Sequence, residues 1–246
     1  MRKNFALLLV GTLFGMGWGA WAQSPTPTPK IGYAQALQLL KKGSRSLDRE
    51  ALTEALRVFQ DCPAHKKDAY PCPYRAAEAG LYLVRALDLQ KHRDQAEKAL
   101  TAGIQSAQAA VSLMPDSPDS HALLARLYEQ KLLFGDMFTG MDIGPKAGAE
   151  NRKALELGPK DPQVQLALGI QYVMAPPIGG GDVKKGIATL EGALALDPKM
   201  DEAYYWLAKA YRKQNDRAGF EEALRKGRVL NPDNPLFQAE QEAWKP

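Results

Sequence analysis

Asp161-Pro-Gln-Val-Gln-Leu-Ala-Leu-Gly-Ile-Gln-Tyr172 and Asp201-Glu-Ala-Tyr-Tyr-Trp-Leu-Ala-Lys-Ala-Tyr211 are two versions of one helical phrase. The first runs on to Ala193-Leu-Ala-Leu-Asp-Pro198 and the second to Gly227-Arg-Val-Leu-Asn-Pro232, so the closing prolines stand 34 residues apart. Each phrase is a helix, a turn, a second helix and a proline stop. A third version lies upstream. Leu124, Ala125 and Tyr128 correspond to Leu168, Gly169 and Tyr172 and to Leu207, Ala208 and Tyr211. In all three the small residue falls ten positions after a proline: Pro115, Pro159 or Pro198. Helix geometry accounts for the register, because a small residue is needed where the paired helix crosses and a tyrosine ring fills the wider space one turn on.

A fixed 34-residue period of this kind resembles the tetratricopeptide repeat. The resemblance is strong from Pro115 onward and extends only to helical hairpins between Ile31 and Leu113. It implies an all-α chain, a right-handed α-solenoid of about five helix-turn-helix hairpins with a C-terminal capping helix. Such repeats carry surfaces rather than chemistry.

The domain plan follows. Arg2 and Lys3, the apolar run Phe5 to Trp18 and Ala20-Trp21-Ala22 form the pattern of a secretory signal over residues 1–22, with Gln23 as the mature start. The expected location is therefore periplasmic or secreted. No later stretch approaches the ~20 apolar residues of a membrane span. Ser24-Pro-Thr-Pro-Thr-Pro29 predicts an extended linker over 23–30. Divergent hairpins occupy 31–114, the repeats 115–232, and a capping helix 233–246 with Leu236, Phe237 and Trp244 on its covering face. Without Arg2 and Lys3 the chain has 30 basic and 28 acidic residues, a balance that argues against nucleic acid as a partner.

In the first hairpin, Tyr33, Ala36, Leu37 and Leu40 share one helical face, a break is expected at Gly43-Ser44-Arg45-Ser46, and Asp48 is the expected cap of the second helix. Residues 61–73 then hold both cysteines, Cys62 and Cys72, and the prolines on either side of Cys72 predict a non-helical loop. In an exported chain a pair of cysteines in one loop predicts a disulfide. The alternative is a metal site of Cys62, His65 and Cys72, which lacks a fourth ligand nearby. Helices at 74–89 and 96–113 follow, with Ala76, Gly80, Leu83 and Leu87 on one stripe of the first.

The repeat units are unequal. Relative to 34 residues, those beginning at Pro115 and Pro159 carry 10 and 5 extra, at 133–145 and 174–182. Insertions in solenoids project from one edge and are frequently the binding parts. Phe134, Met137, Phe138, Met141 and Ile143 are too apolar for a solvated loop, so they either fold back over the array or form an adaptable contact surface. In the other insertion Pro176 and Pro177 stop a helix, Gly179-Gly-Gly181 turns the chain, and Asp182 caps the next helix. Its amides are also positioned to meet an anion, but no preceding strand or Gly-Lys-Ser/Thr accompanies them, which rules out a nucleotide loop.

Inner-face positions include Ala122, Arg126, Glu129 and Gln130 in one unit and Glu202, Tyr205, Lys209, Arg212 and Lys213 in the last. They are either solvated charges at helical spacing or a peptide contact, with Tyr205, Lys209 and Arg212 receiving a carboxylate. The candidate partner-binding set is thus Arg126, Gln130, Phe138, Met141, Tyr205, Lys209 and Arg212. The three histidines, His65, His92 and His121, have no recognisable catalytic companions, and His121 falls at a packing position. No catalytic, cofactor or metal residue is assigned, and a non-enzymatic scaffold for a protein or peptide is expected.

The divergent first half, the long insertion before Gly144-Pro145 and Ala175-Pro-Pro-Ile-Gly-Gly-Gly-Asp182 look like the exported proteins grouped with the T-component of tripartite periplasmic transporters. That resemblance implies an accessory to a periplasmic binding protein, a hydrophobic small molecule as ligand, and in some cases a trimer. The chain departs from the group in lacking a lipid-attachment cysteine after Ala22.

Overall fold

Short caps and proline stops set the helix limits. In the computed structural model, which describes residues 31–62 and 71–244, Asp48 accepts from the Ala51 amide, Ser117 from Ser120, Asp136 from Thr139, Asp161 from Gln163, Asp182 from Lys185, Asp216 from Gly219 and Asn234 from Leu236. Each satisfies an amide that the first helical turn would leave unpaired. Pro118, Pro162 and Pro235 stand just inside their helices, where the missing N–H costs nothing. The signal and linker expected over 1–30, and His65, lie outside the described residues.

The described chain is all-helical. The helices are α1 (Tyr33–Ser46), α2 (Arg49–Gln60), α3 (Pro71–Leu89), α4 (Arg93–Leu113), α5 (Pro118–Phe134), α6 (Met137–Leu157), α7 (Pro162–Met174), α8 (Val183–Leu196), α9 (Asp201–Lys213), α10 (Arg217–Leu230) and α11 (Pro235–Glu242). They pair as α1/α2, α3/α4, α5/α6, α7/α8 and α9/α10, and the hairpins stack in chain order. α11 closes the array: Phe237 is buried against α10, with Gly227 opposite its ring, and Trp244 meets Phe220 edge-on at 4.7 Å.

Small residues set how closely the helices approach. A Cβ at Gly169 would lie 2.7 Å from Leu190 Cγ, and one at Gly80 would lie 2.9 Å from Gly103 Cα on the facing helix. At Gly169 the expected small-residue register is thus a close approach to the Leu190 side chain, and the backbone-to-backbone approach is at Gly80. The tyrosines fill the space beyond: Tyr128 is buried and its hydroxyl accepts from Gln108 Nε2, while the Tyr211 ring covers Gly219.

Three local expectations are corrected. α1 does not break at Gly43 but runs to Ser46, with Gly43 pressed on Leu52 and the turn made at Leu47 in the left-handed region (φ 52°). Glycine inside a helix costs only about 1 kcal/mol, which this packing offsets. Pro71, Cys72 and Pro73 are helical, because the first turn of α3 needs no proline amides. The 133–145 segment is no loop either. The turn is confined to Gly135 and Asp136, α6 starts at Met137, and Pro145 lies within it.

Cys62 and Cys72 form a disulfide that ties the end of α2 to the start of α3. Closing a loop of that length stabilises by about 2 to 3 kcal/mol on the chain-entropy view.

The glycine contacts have opposite consequences at two sites. Gly80→Ala should cost about 1 to 2 kcal/mol, overpacking against backbone outweighing its helix-propensity gain. Gly140→Ala, with nothing within 4 Å of the added Cβ, should instead gain about 0.5 to 1 kcal/mol. Urea unfolding midpoints at constant slope measure both, and equal effects at the two positions would refute the close-approach account.

Candidate functional site

The inner face is built by the first helices of the hairpins, and it is closed. Glu202 of α9 reaches across the array to Arg126 of α5, which donates to both carboxylate oxygens at 2.5 and 2.6 Å, and to Arg85 of α3 at 2.6 Å. The three side chains are 7 to 12% exposed. Burial pushes the Glu202 carboxyl up, but the Arg126 and Arg85 guanidiniums outweigh it and hold it at about 2. Burial works against charge on Arg126 too, and Glu202 overcomes it, raising the guanidinium above its ordinary value.

Beside this triad lies a second buried cluster. Asn151 of α6 donates through Nδ2 to Glu129 Oε1 at 2.9 Å and to Gln171 Oε1 of α7 at 2.8 Å, joining three successive helices. Burial raises the Glu129 carboxyl to about 8, against the lowering influence of Asn151 and of Arg126 and Arg85. Arg126 and Gln130 are thus buried at 7% exposure, not on an open contact surface. For Arg126 the cause is long-range: Glu202 of α9 covers a position that a single hairpin would leave in solvent.

The last unit repeats the arrangement. Lys209 lies over the rings of Tyr205 and Trp206, 5.4 and 5.2 Å from their centroids, and its Nζ is 4.0 Å from Glu240 of α11. Arg212 Nε donates to Glu240 Oε1 at 2.5 Å. The expected carboxylate receiver holds a carboxylate, supplied by the chain itself. Lys213 donates to the Val173 carbonyl at 2.6 Å, and burial with Lys209 and Arg212 nearby lowers its ammonium. His121 is a packing residue, its ring between Glu150 and the Pro115 carbonyl.

The outward surface lies on the edge where each hairpin turns. Met137, Phe138 and Met141 share a face of α6 and are 70 to 74% exposed. Phe134 and Ile143, by contrast, pack on the first core, with Arg93 donating to the Phe134 carbonyl at 2.7 Å. Phe134 and Ile143 thus fold back over the array, and Met137, Phe138 and Met141 do not. At 1.5 Å per residue α5, with 17 residues, and α6, with 21, are about 26 and 32 Å long, against about 20 Å for the 13-residue α7. Ile178, at the tip of the Pro177–Gly179 turn, is 99% exposed on the same edge, where Gly180 takes φ 85° and Asp182 caps α8.

Among the described residues, no group of three His, Cys, Asp or Glu side chains is placed to hold a metal, and no helix is long and apolar enough to cross a membrane. A groove of about 580 Å³ between α10 and α11, lined by Arg228, Asp233, Gln238, Gln241 and Glu242, is polar and offers no chamber for an apolar molecule. Arg85 and Glu240 were not singled out by sequence. Arg85's signal was a lone charge within Leu83-Val84-Arg85-Ala86-Leu87; Glu240 carried none.

Residues 178–241 match the family model of the tetratricopeptide repeat. Among solved structures, a thermophilic tetratricopeptide-repeat protein of Thermus thermophilus superposes with a TM-score of 0.56 at 17% identity, over 85% of this chain and 97% of that one. YrrB, described as such a protein with an unusual peptide-binding site, superposes with a TM-score of 0.41 at 14% identity, over 87% and 99%. No curated protein sequence matches the chain. The fold is that of a tetratricopeptide-repeat solenoid.

Glu129 makes stability depend on pH in a defined direction. Its folded value of about 8 lies above the ordinary 4.5, so between those limits the folded state keeps a proton that the unfolded state has lost. Its contribution is complete at low pH and falls as pH rises through that window. Glu129→Gln should match the wild type at pH 5 and exceed it at pH 8, as measured by urea unfolding at both. Equal pH slopes for the two proteins would show that Glu129 is ionised in the fold.

Proposed function

We propose that the protein is an exported, non-enzymatic scaffold that binds a protein or peptide partner in the cell envelope through its projecting edge. The observation that carries this reading is the exposure of Met137, Phe138 and Met141 on one helical face, while the inner face is filled by the chain's own side chains. Methionine and phenylalanine give a large, adaptable apolar contact, and a contiguous exposed patch of this kind marks an interaction site. The helical-hairpin scaffold supports the same reading, because it presents surfaces and assembles no reacting groups.

Export rests on the leader pattern of residues 1–22 and on the Cys62–Cys72 disulfide, which an oxidising compartment favours. Fractionation of expressing cells with N-terminal sequencing tests it. The expected product is extracytoplasmic and starts at Gln23; a cytoplasmic chain retaining Met1 would overturn export.

Phe138→Ser with Met141→Ser separates recognition from packing. Both side chains are exposed, so Tm should stay within about 2 °C of the wild type, as for surface substitutions generally. Partner capture from envelope extracts, quantified by mass spectrometry, should fall by at least about tenfold, the effect of losing two anchor contacts. Retained capture at unchanged stability would move the binding surface elsewhere.

A further inference from the structure

Sulfur chemistry singles out the projecting face. The chain has two cysteines, and both are joined in the Cys62–Cys72 disulfide. A two-electron oxidant such as hydrogen peroxide, which attacks thiolates first, therefore finds only thioethers as sulfur targets in the folded chain. Thioethers react according to how far the sulfur meets solvent. Met137 and Met141 are 73 and 70% exposed, against 38% for Met114 and 7% for Met200, while Met174 is partly buried against the second core. The two most accessible of the described methionines thus stand four residues apart on one face of α6, either side of Phe138.

Peroxide alone balances the step. A sulfur lone pair attacks one peroxide oxygen, the O–O bond breaks as the S–O bond forms, and the second oxygen leaves, protonated, as water. The sulfur loses the two electrons that the peroxide gains. The side chain keeps its place but changes from a flexible apolar group to one bearing a strong hydrogen-bond acceptor. The fold registers little of this change. Phe134 and Ile143 hold the hairpin end against the first core, and Asn151 ties α6 to α5 and α7, and none of these contacts uses Met137 or Met141. The charged side chains that flank the two methionines in sequence are already engaged, Asp136 in capping at Thr139 and Asp142 with Lys146. The new oxygens would therefore face water, on a surface that serves a partner by its apolar character.

We propose that Met137 and Met141 form a paired oxidation site, at which peroxide turns the apolar face of α6 polar and releases its partner without unfolding the array. This rests on the reading of the projecting edge as the partner surface. Side chains four residues apart on a helix are neighbours, so both sulfoxides fall within the same contact.

Peptide mass mapping during hydrogen peroxide treatment of the folded protein should show Met137 and Met141 each gaining one oxygen at least about tenfold faster than Met200, in line with their exposure. Retention on phenyl-agarose reads the face itself. The doubly oxidised wild type should elute earlier than the untreated protein, with Tm within about 2 °C of it. Met137→Leu with Met141→Leu, close to methionine in volume and not oxidisable, should keep its retention through the same treatment. Equal oxidation rates at Met137, Met141 and Met200, unchanged retention of the oxidised wild type, or an equal change in the leucine variant overturns the proposal. In capture from envelope extracts, oxidation should lower the yield of the wild type at least about tenfold and spare the leucine variant. Capture that survives double oxidation also overturns the proposal. An untreated protein that captures nothing overturns the partner surface instead, and mapping and retention then still decide the oxidation site.

Discussion

Glu202 between Arg85 and Arg126 is the contact on which the closed arrangement depends. Stacked hairpins need touch only their neighbours, and a solenoid built that way leaves its first helices facing solvent. Here a carboxylate 76 positions beyond Arg126 removes three charged groups from water at once. Taking these ions out of water carries a penalty of several kcal/mol each, which direct bonds in a low-dielectric interior recover when the geometry is good. The short bonds to both carboxylate oxygens meet that condition, and the low value of the Glu202 carboxyl shows the balance lying with the ion pair. The penalty is distributed unevenly. Removing Glu202 would leave two buried cations with no counter-ion, whereas removing either arginine leaves one pair.

The same logic recurs at the C-terminal end, where Glu240 of α11 satisfies Arg212 and approaches Lys209. A capping helix is ordinarily explained by its apolar face, and Phe237 and Trp244 do cover the last hairpin. Glu240 adds an electrostatic reason for its position, because α9 carries Lys209, Arg212 and Lys213 within five residues. Left uncovered, those like charges would oppose one another along the helix. The inner face is therefore neutralised from within at two places by carboxylates that lie later in the chain than the cations they meet.

What the sequence made legible was local. The Pro115, Pro159 and Pro198 register located the first helices, and Gly169 and Gly80 sit where facing backbones or side chains allow no Cβ. Asp48, Asp182 and the Cys62–Cys72 pair were readable because each depends on neighbours within ten residues. Arg126 and Gln130 show the limit. Helical spacing correctly put them on the first-helix face, but the burial of Arg126 depends on Glu202 of α9, whose path across the array is the sum of small rotations at successive junctions. Pro71 and Pro73 show a second limit: a proline marks a helix boundary only if its ring has a preceding turn to clash with, and a first turn has none.

The 133–145 insertion gains its meaning from that closed inner face. Its ten additional residues lengthen both helices of one hairpin rather than forming a loop. Phe134 and Ile143 anchor it to the first core, and Asp142 pairs with Lys146 along its flank. Met137, Phe138 and Met141 are then held outward by structure that is itself buried. An apolar face retained in solvent by such anchoring is not explained by the stability of the fold, because serine at those positions would leave every internal contact described above in place. That exposure is the observation on which the proposed partner surface rests.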